Sequence, residues 1–592
     1  MTEYRATSKG FHNEITAVVN VEDGKLTSVR AENVSDRTIG AVGIETWLNK
    51  ANAEGSVEVD AISGASISTG ALRSAAQAAF ASATGQETDA VSGASQQQVG
   101  TKTGRPAPAN YPLLKSRVYS KDVNYIGSYD VIVVGSGGAG LAAAATAAEN
   151  NAQVLVIEKA GIAGGTTNYS GGVLQAAGTK WQKEFTKDES DTPERHEAEY
   201  MKTGEGRLYR DLVHDFTQNA PANMEWLAKM GVQWTGVYGH TTIPYATEDF
   251  AERIHISDNG GGAGDGIMLT QHLLKYALSL GAQIRYNTAV IGLIEADEHN
   301  HAVTGVVVSD GRNLEYLEAR RGVVLATASV DQNVELAKDL SPQHYADVSA
   351  HRCWSVKTDR GDGIVLGMKL GAAVTGFGGT IDFDARTGNG TNNQIPTIPS
   401  IFVNGNGLRF VNEEATYAYV FREIFNEEKK LNKPTYQIFG RNALEEPASP
   451  FKSDTIDADI EKGLVVQAES VEDLAEKIGI PATNLKRSID NWNENVANGR
   501  DGEYQRTVGL ASISGPYYAY RNTPGNLGAI GGLKINVNCN VLDLFNQPIT
   551  GLYAAGLNAG GWIGSYYPGS GTAIGGIIHQ GRRAAKSILG LN

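Results

Sequence analysis

The feature that most constrains this chain is a glycine-rich turn between a buried strand and a helix. Residues 130–134 read Asp-Val-Ile-Val-Val and run into Gly135-x-Gly137-x-x-Gly140, an alanine-rich helix and a second apolar strand that ends at Glu158. Gly135 permits the tight turn, Gly137 lets a pyrophosphate approach the backbone, and Gly140 allows close packing of helix on strand. Glu158 is placed to bind ribose hydroxyls. The pattern predicts a dinucleotide-binding βαβ unit with the phosphates at the helix N-terminus.

Two further glycine-rich segments favour FAD over NAD. Residues 164–172 offer mobile backbone amides and small hydroxyls where an isoalloxazine ring would have to pass. Residues 571–576 follow a last strand and begin a helix whose N-terminus is placed to face the flavin O2 carbonyl and to stabilise negative charge on the reduced ring. We therefore predict that FAD is bound by Gly135, Gly137, Gly138, Ala139, Gly140, Glu158, Lys159, Gly164, Gly165, Thr166, Thr167, Ser170, Gly171, Gly172, Gly556, Thr572, Ala573 and Ile574.

The chain is long enough for several domains, and its composition changes along its length. A β-hairpin that turns at Asp23-Gly24 and an alanine-rich helix from Ala71 to Ala83 predict a small α+β unit, which a Gly/Ser/Thr/Gln/Pro-rich stretch follows. The predicted fold class is α/β, with a Rossmann-like FAD-binding domain, an inserted α+β cap domain and a small α+β domain in front. We place the N-terminal domain at 1–84, a linker at 85–124, the FAD-binding domain at 125–376 and 527–592, and the cap at 377–526.

Charge and cysteine content exclude several classes of protein. Lys and Arg total 51 against 66 Asp and Glu, a net charge of −15, and no basic run is long enough to follow a phosphate backbone, so we expect no nucleic-acid partner. Cys353 and Cys539 are the only cysteines and have no metal-ligand spacing, so we predict no metal site and a reducing compartment. The first residues contain no signal-like run and no long apolar stretch follows, so we expect a cytoplasmic protein without membrane insertion.

From about Tyr129 to Leu589 the chain resembles the flavoprotein family of fumarate reductases, urocanate reductases and 3-ketosteroid dehydrogenases. The resemblance rests on the glycine turn and also includes Gly361-Asp362-Gly363 and Arg-Phe-Val-Asn-Glu at 409–413. It implies FAD chemistry on a carbon–carbon bond and adds Asp362 to the predicted cofactor contacts.

The N-terminal unit carries a second resemblance. Asp60-Ala-Ile-Ser-Gly-Ala-Ser66 is similar to the flavinylation motif of FMN-binding domains, in which the final Thr or Ser is esterified to the FMN phosphate. The resemblance implies that residues 1–84 are an FMN-binding domain, with covalent FMN at Ser66 attached by a flavin transferase. A second copy at 89–95 ends at Ser95, but it runs into glutamines and not into a helix, so we favour Ser66.

Two tyrosines separate this chain from the fumarate reductases it resembles. Those enzymes donate a proton from an arginine shortly after the Arg-Phe-Val-Asn-Glu segment, where this chain has Tyr417, and their second substrate arginine is replaced within 565–571. Both departures match the ketosteroid dehydrogenase pattern. That resemblance implies that Tyr417 carries the proton at the carbon α to a ketone, and that Tyr567 and the Gly571 N–H hold the ketone oxygen.

We therefore expect an ene-reductase that reduces a C=C bond conjugated to a carbonyl, most simply an enone such as a 3-ketosteroid-like compound, with electrons passing from FMN to FAD to the substrate. No second strand-linked glycine turn provides a nicotinamide domain, so an external donor or reductase must supply electrons.

Three alternatives stay open. One is an enoate reductase for a urocanate- or cinnamate-like monocarboxylate, with Arg409, Arg422 or Arg253 as the carboxylate partner. Another is a ketosteroid-type dehydrogenase that runs in the oxidative direction. The third is an electron-transfer flavoprotein without a substrate pocket, against which the tyrosine pair and the long cap argue. If Tyr417 is not the acid, the next candidates are His255, beside a glycine-rich loop, and an arginine from the cap.

Overall fold

The computed structural model describes residues 3–9, 14–34, 39–62, 65–84, 111–239, 243, 251–386, 398–447 and 449–591. The second copy of the flavinylation-like motif, at 89–95, lies outside these ranges. So do Ser63 and Gly64 of the first copy.

The N-terminal unit is a three-stranded antiparallel sheet with two helices, of which the sequence predicted the second hairpin and the last helix. Asp23 and Gly24 at the hairpin turn have φ of 49° and 73°, the left-handed values that a two-residue type I′ turn requires. Trp47 is fully buried and donates from Nε1 to the Val59 carbonyl at 3.0 Å. The elements are β1 Glu3–Lys9, β2 Glu14–Glu22, β3 Lys25–Glu32, α1 Ile39–Glu54 and α2 Ser66–Thr84.

The Rossmann-like domain contains the predicted strand, glycine turn and helix near its start. The continuous apolar run at the end of its first long strand is buried from Val131 to Val134, as expected for a strand covered on both faces. Its first part contains β4 Val118–Tyr119, β5 Gly127–Val134, α3 Gly138–Glu149, β6 Val154–Ile157, β7 Leu174–Gln175, α4 Lys180–Thr186, α5 Pro193–Thr203, α6 Arg210–Lys229, β8 Trp234–Tyr238, β9 Ile254–Ser257, α7 Gly266–Ser279, β10 Gln283–Arg285, β11 Ala289–Glu295, β12 Val303–Ser309, β13 Leu314–Leu325, α8 Val334–Leu340, α9 Pro342–Ser349, α10 Asp362–Lys369 and β14 Val374–Thr375.

The predicted linker at 85–124 is too long at its C-terminal end. Val118 and Tyr119 pair with β11, and Tyr111, Leu113 and Leu114 pack into the same apolar cluster as that strand. The predicted boundary missed this because the segment is short and has no periodic pattern. Residues 111–124 belong to the Rossmann-like domain, whereas 85–110 lie outside the described residues.

The inserted cap has its own sheet and its own core. The cap elements are β15 Thr380–Asp384, β16 Ser400–Val403, α11 Tyr417–Leu431, β17 Tyr436–Gly440, α12 Ile456–Glu461, β18 Val465–Ala468, α13 Val471–Ile478, α14 Ala482–Ala497, β19 Tyr517–Arg521 and β20 Pro524–Ala529. The strand order of the cap sheet is β16-β17-β19-β18, helices α13 and α14 pack on that sheet, and Trp492 of α14 is fully buried in the core that they form. A two-stranded ribbon, β15 paired with β20, joins the cap to the Rossmann-like domain.

The C-terminal segment completes the parallel sheet, as the sequence predicted. It contains β21 Gly532–Lys534, β22 Asn540–Leu542, β23 Pro548–Ala554, β24 Ala559–Gly560 and α15 Thr572–Leu589. The parallel strands run in the order β10-β6-β5-β13-β23, with Val134 opposite Leu325 and Leu325 opposite Ala554. Strands from three distant parts of the sequence therefore end at one edge, beside the glycine turn.

In the part of the chain that the structure describes, no helix combines the length and the hydropathy that crossing a membrane requires. Both cysteines are buried free thiols. No group of three or more His, Cys, Asp or Glu side chains among the described residues is arranged to hold a metal ion.

Candidate active site

The glycine turn has the geometry that a dinucleotide site needs. Gly135 has φ of +98°, and a Cβ there would lie 2.5 Å from the Ala326 carbonyl oxygen. A Cβ at Gly140 would lie 1.9 Å from the Gly135 oxygen, so the helix and the turn fit only because both residues are glycine. A Cβ at Gly137 would meet nothing closer than the Gly164 oxygen at 3.9 Å. Gly137 therefore leaves open space at the start of α3, where a pyrophosphate would bind.

Glu158 is buried at the C-terminal end of β6. One carboxylate oxygen accepts from the Ser136 N–H at 2.9 Å and the Ser136 hydroxyl at 2.6 Å, and the other accepts from the Ala160 N–H at 2.7 Å. These bonds fix the carboxylate against the glycine turn. Its contact with ribose stays a prediction.

The predicted flavin segment at 164–172 lies against the start of α3. Gly164 and Gly165 have φ of 112° and 52° and lead into a short 3₁₀ turn, Gly165–Tyr169. Thr167 Oγ1 accepts the Gly138 N–H at 3.1 Å, and the Ser170 hydroxyl donates to the Thr167 carbonyl at 2.8 Å. The segment is therefore hydrogen-bonded to the N-terminus of α3, and Gly171 and Gly172 form its C-terminal end.

Three other predicted cofactor contacts, Lys159, Thr166 and Asp362, lie where the segment after β6 meets the segment around the start of α10. Lys159 forms an ion pair with Asp362, the first residue of α10. Thr166 donates from Oγ1 to Asp359 Oδ2 at 2.5 Å and accepts the Val356 N–H. These bonds connect the segment after β6 to the segment that precedes α10.

The C-terminal helix α15 packs on α3 and brings the last predicted contacts to the glycine turn. Gly556 has φ of +75°, and its N–H donates to Gln580 Oε1 on α15 at 2.8 Å. Thr572 Oγ1 accepts from Gln175 Nε2 at 3.2 Å, and Ile574 is buried. Gly556, Thr572 and Ile574 therefore lie at the contact between α3 and α15, while their binding of FAD stays a prediction.

Tyr417 and Tyr567 meet at the contact between the cap and the Rossmann-like domain. Tyr417 is the first residue of α11, and its ring lies 6.1 Å from the Tyr567 ring. The Thr416 hydroxyl donates to the Tyr567 carbonyl at 3.1 Å and links the two domains at this point. Burial raises the pKa of Tyr417 well above its ordinary value, and the nearby Tyr567 raises it further. Tyr417 is therefore a protonated donor at neutral pH.

Tyr567 is held by the N-terminus of α15. Its hydroxyl oxygen accepts the Ala573 N–H at 3.0 Å, which leaves the hydroxyl hydrogen free to point elsewhere. Burial raises the pKa of Tyr567, whereas the backbone N–H groups of Ala573 and Thr572 oppose that rise. Gly571 caps the helix with φ of +87°, and a Cβ there would lie 2.8 Å from Gln175 N. The Ala573 amide, predicted to contact FAD, thus contacts Tyr567 in this structure.

Comparisons with known proteins agree with this arrangement. Residues 130–574 match the family model described as "FAD binding domain", and residues 10–81 match "FMN-binding domain". The chain belongs to the FAD-binding flavoprotein oxidoreductases. A digoxin reductase of Eggerthella lenta is 30% identical over 508 residues, 79% of this chain and 88% of that protein. A cytochrome fumarate reductase of Shewanella frigidimarina is 30% identical over 472 residues, 77% of this chain and 76% of that protein.

Among solved structures, a 3-ketosteroid-Δ4-(5α)-dehydrogenase of Rhodococcus jostii RHA1, in complex with 4-androstene-3,17-dione, superposes with a TM-score of 0.69 at 27% identity. The match covers 80% of this chain and 99% of that protein. The predicted fold and family are thus confirmed for this flavin-dependent oxidoreductase.

Two hydroxyls that the sequence analysis missed lie beside the tyrosine pair. Ser570 hydrogen-bonds to Tyr417 and to Tyr238, the last residue of β8. Burial raises the pKa of Tyr238 to about 12. Ser570 lies three residues from Tyr567 and offered a weak signal, but Tyr238 is far from both in sequence and only the fold brings it here.

His255 lies within β9 and is fully buried. Its Nε2 lies 2.6 Å from Thr179 Oγ1, and its Nδ1 lies 2.9 Å from the Arg253 carbonyl. Burial lowers the pKa of His255 to about 4. The histidine is therefore neutral and fully bonded, which makes it a poor alternative acid.

The three arginines considered as carboxylate partners differ sharply in surroundings. Arg253 is fully buried between Asp191 and Glu199, and Arg409 between Glu413 and Asp501. Both side chains are at most 1% exposed, so no ligand reaches them. Arg422 on α11 is also paired with two carboxylates, Glu205 and Glu423, but its side chain is 16% exposed and lines a pocket.

The proposed FMN attachment residue, Ser66, is the first residue of α2. Near it, the Ile62 N–H donates to Thr69 Oγ1 at 2.9 Å and the Thr69 hydroxyl donates to the Ala65 carbonyl at 2.9 Å. Helix N-termini favour phosphate groups. Covalent attachment of FMN at Ser66 stays a prediction.

Proposed function

We propose that this flavoprotein is an ene-reductase for a C=C bond conjugated to a ketone, with a 3-ketosteroid-like enone as the simplest substrate. The observation that carries the proposal is the buried pair Tyr417 and Tyr567, whose ring centroids lie 6.1 Å apart at the contact between the cap and the FAD-binding domain. An enone needs two neutral O–H donors, one at the ketone oxygen and one at the α-carbon. A dicarboxylate needs cations, because burying unpaired carboxylates costs several kcal/mol.

The residues divide the chemistry as follows. When bound and reduced by electrons from the external donor, FAD would supply a hydride to the β-carbon of the alkene. Tyr567 donates a hydrogen bond to the ketone oxygen with the Gly571 N–H, and so stabilises the enolate charge that develops there. Tyr417 transfers its proton to the α-carbon, which completes the saturated ketone, and regains a proton through the hydroxyls of Ser570 and Tyr238.

The cofactor sites fit their predicted groups on this chain's own geometry. Gly137 leaves room for a pyrophosphate that a Cβ would fill, and Ser66 begins a helix whose first amides suit a phosphate. The fused FMN-binding domain favours reduction, with electrons delivered by an external donor or reductase. Covalent FMN at Ser66 would require a flavin transferase during maturation.

The oxidative direction is a second candidate, because the structural neighbour at 27% identity is named a 3-ketosteroid dehydrogenase. The same tyrosines would then run in reverse, with Tyr417 as its phenolate removing a proton from the α-carbon. Burial raises the pKa of Tyr417 and so disfavours the phenolate that this direction requires.

Anaerobic mixing tests the proposal. The flavin-loaded protein is photoreduced and mixed with 4-androstene-3,17-dione, cinnamate or fumarate, and the return of oxidised flavin absorbance is followed. We expect rapid reoxidation by the enone and negligible reoxidation by fumarate. Efficient fumarate reduction would show that the tyrosines do not select the substrate.

Covalent flavinylation has a matched control within the chain. Mass spectrometry of the denatured protein, co-produced with a flavin transferase, should show an FMN adduct that Ser66→Ala loses and Ser95→Ala retains. An unmodified wild-type chain made under these conditions would refute attachment at Ser66.

A further inference from the structure

A pocket of about 480 Å³ lies between α11 of the cap and the FAD-binding domain, and forms a second compartment at this domain contact. Its charged lining residues are Glu205, Arg207, Arg422 and Lys429, so three cations face one carboxylate. A concave site with excess positive charge favours an anion.

Arg422 is the best-positioned cation in this pocket. Its guanidinium lies 4.9 Å from the Tyr419 ring and 5.0 Å from the Tyr566 ring, so two aromatic faces hold it. Glu205 accepts two parallel hydrogen bonds from it at 2.8 and 2.9 Å, and Glu423 accepts a third. Unlike Glu423, Glu205 lines the pocket, and its side chain is 42% exposed. Glu205 therefore occupies the position from which a ligand anion would reach the guanidinium.

Residues 565–567 connect the pocket to the tyrosine site. Ser565 lines the pocket, Tyr566 packs on Arg422, and Tyr567 holds the proposed oxyanion position. Along α11, Arg422 lies five residues after Tyr417, about 7.5 Å further along the helix axis. The pocket and the tyrosine site are therefore neighbours along α11 and along residues 565–567.

We propose that this pocket binds an anionic group, a carboxylate or a sulfate, at the far end of a substrate whose enone lies between Tyr417 and Tyr567. The inference rests on the proposed function and narrows its substrate class to amphipathic enones with a remote anion. Arg422 and Arg207 attract the anion, whereas Glu205 competes with it for Arg422. Substrate binding then replaces one ion pair with another.

A matched pair of substrates tests the proposal. The neutral 4-androstene-3,17-dione and its counterpart 3-oxo-4-androstene-17-carboxylate differ at the end remote from the enone. For wild type we expect a lower KM for the carboxylate. Loss of a charge-assisted hydrogen bond in Arg422→Gln should raise that KM about 10- to 100-fold, with kcat for both compounds within about threefold of wild type.

Glu205→Gln provides the opposite change. If Arg422 serves only to hold the domains together, removing its partner should harm both substrates equally. On our account the variant frees the guanidinium and lowers KM for the carboxylate alone. Arg207→Gln should raise KM for the carboxylate by a smaller factor, and Arg487→Gln, an exposed arginine elsewhere on the cap, should leave both substrates unchanged.

The outcomes separate this inference from the proposed function. Equal effects of Arg422→Gln on both substrates overturn the anion pocket but leave the enone proposal intact. If neither compound is reduced, the enone proposal fails, and binding measured by perturbation of the flavin absorbance still decides whether Arg422 discriminates the carboxylate. Free sulfate that inhibits both substrates alike in wild type, and not in Arg422→Gln, would identify an effector anion in place of the substrate's own group and would also overturn the inference.

Discussion

Tyr566 and Tyr567 are adjacent in sequence, yet they belong to two different compartments of the same interdomain contact. The Tyr567 ring lies 6.1 Å from Tyr417, among neutral hydroxyls. The Tyr566 ring lies 5.2 Å from Tyr419 and stacks on the guanidinium of Arg422. One compartment is built for hydrogen bonds without ions, and the other is built around ion pairs.

On the proposed function, the neutral compartment carries out the chemistry and the charged compartment binds the substrate. Neutral donors in a buried site act strongly on charge that forms only during the reaction, because little water competes with them. Ions at a more open site attract a charged group equally before and during the reaction, and so affect KM more than kcat. Substitutions in the two compartments should therefore differ in which kinetic constant they change.

The largest expected effect is that of Tyr417→Phe. Removal of the proton donor should slow flavin reoxidation by a saturating enone about 10²–10⁴-fold while ligand binding persists. Stopped-flow mixing of the photoreduced variant measures this, after its flavin content has been matched to wild type. A rate near that of wild type would exclude Tyr417 as the acid.

Tyr567→Phe should follow, with a loss of about 10²–10³-fold, because one of two oxyanion donors is removed and the Gly571 N–H remains. Tyr566→Phe is the matched neighbour in the other compartment. It keeps the ring that stacks on Arg422 and should change the single-turnover rate with a neutral enone less than about threefold. Equal losses in the two variants would show that the compartments are not distinct.

Ser570→Ala should have a smaller effect on the neutral compartment. Its hydroxyl bonds to both Tyr417 and Tyr238, and loss of one neutral hydrogen bond is worth about 1 kcal/mol, or roughly fivefold in rate. Because the proton must be returned to Tyr417 after each turnover, the loss should be larger in steady-state turnover than in the first turnover. Identical losses in both measurements would remove Ser570 from the proton route.

The smallest expected effect is on the pH dependence of stability and does not involve catalysis. Burial raises the pKa of Asp331 from 3.8 to about 7, so between about pH 4 and 7 this carboxyl binds more protons in the folded protein than in the unfolded chain. The contribution of Asp331 to the free energy of unfolding therefore falls as pH rises through this window. Thermal unfolding at pH 5 and pH 8 should show a fall in Tm that Asp331→Asn reduces by on the order of a few degrees. The exposed Asp490→Asn should leave the fall unchanged, and an unaltered fall in Asp331→Asn would contradict the assignment.

The sequence predicted the FAD-binding domain well because its site is local. Gly135 and Gly140 are required by backbone contacts within one turn, so their spacing alone predicts the strand, the turn and the helix. The strands that complete the sheet were recognisable because strands buried on both faces are continuously apolar. The tyrosine pair was found through the resemblance to ketosteroid dehydrogenases, not through any periodicity.

Other parts of the site depend on tertiary contacts that no local pattern reveals. Tyr238 reaches Ser570 only because β8 and the segment before α15 lie side by side in the fold. His255 sits beside a glycine-rich loop in sequence, yet burial and two bonded nitrogens make it a poor acid. The sequence likewise offered Arg253, Arg409 and Arg422 as equal candidates. All three are ion-paired, and it is the exposure of Arg422 in a pocket that distinguishes it.

The most direct test of the account is a double-mutant cycle on Tyr417 and Tyr567. Single-turnover reoxidation by 4-androstene-3,17-dione is measured for wild type, Tyr417→Phe, Tyr567→Phe and the double variant, all with matched flavin content. Because both hydroxyls are proposed to serve one transition state, the combined loss should be clearly smaller than the product of the two single losses. A loss equal to that product would mean that the two tyrosines act independently and would contradict the shared enone site.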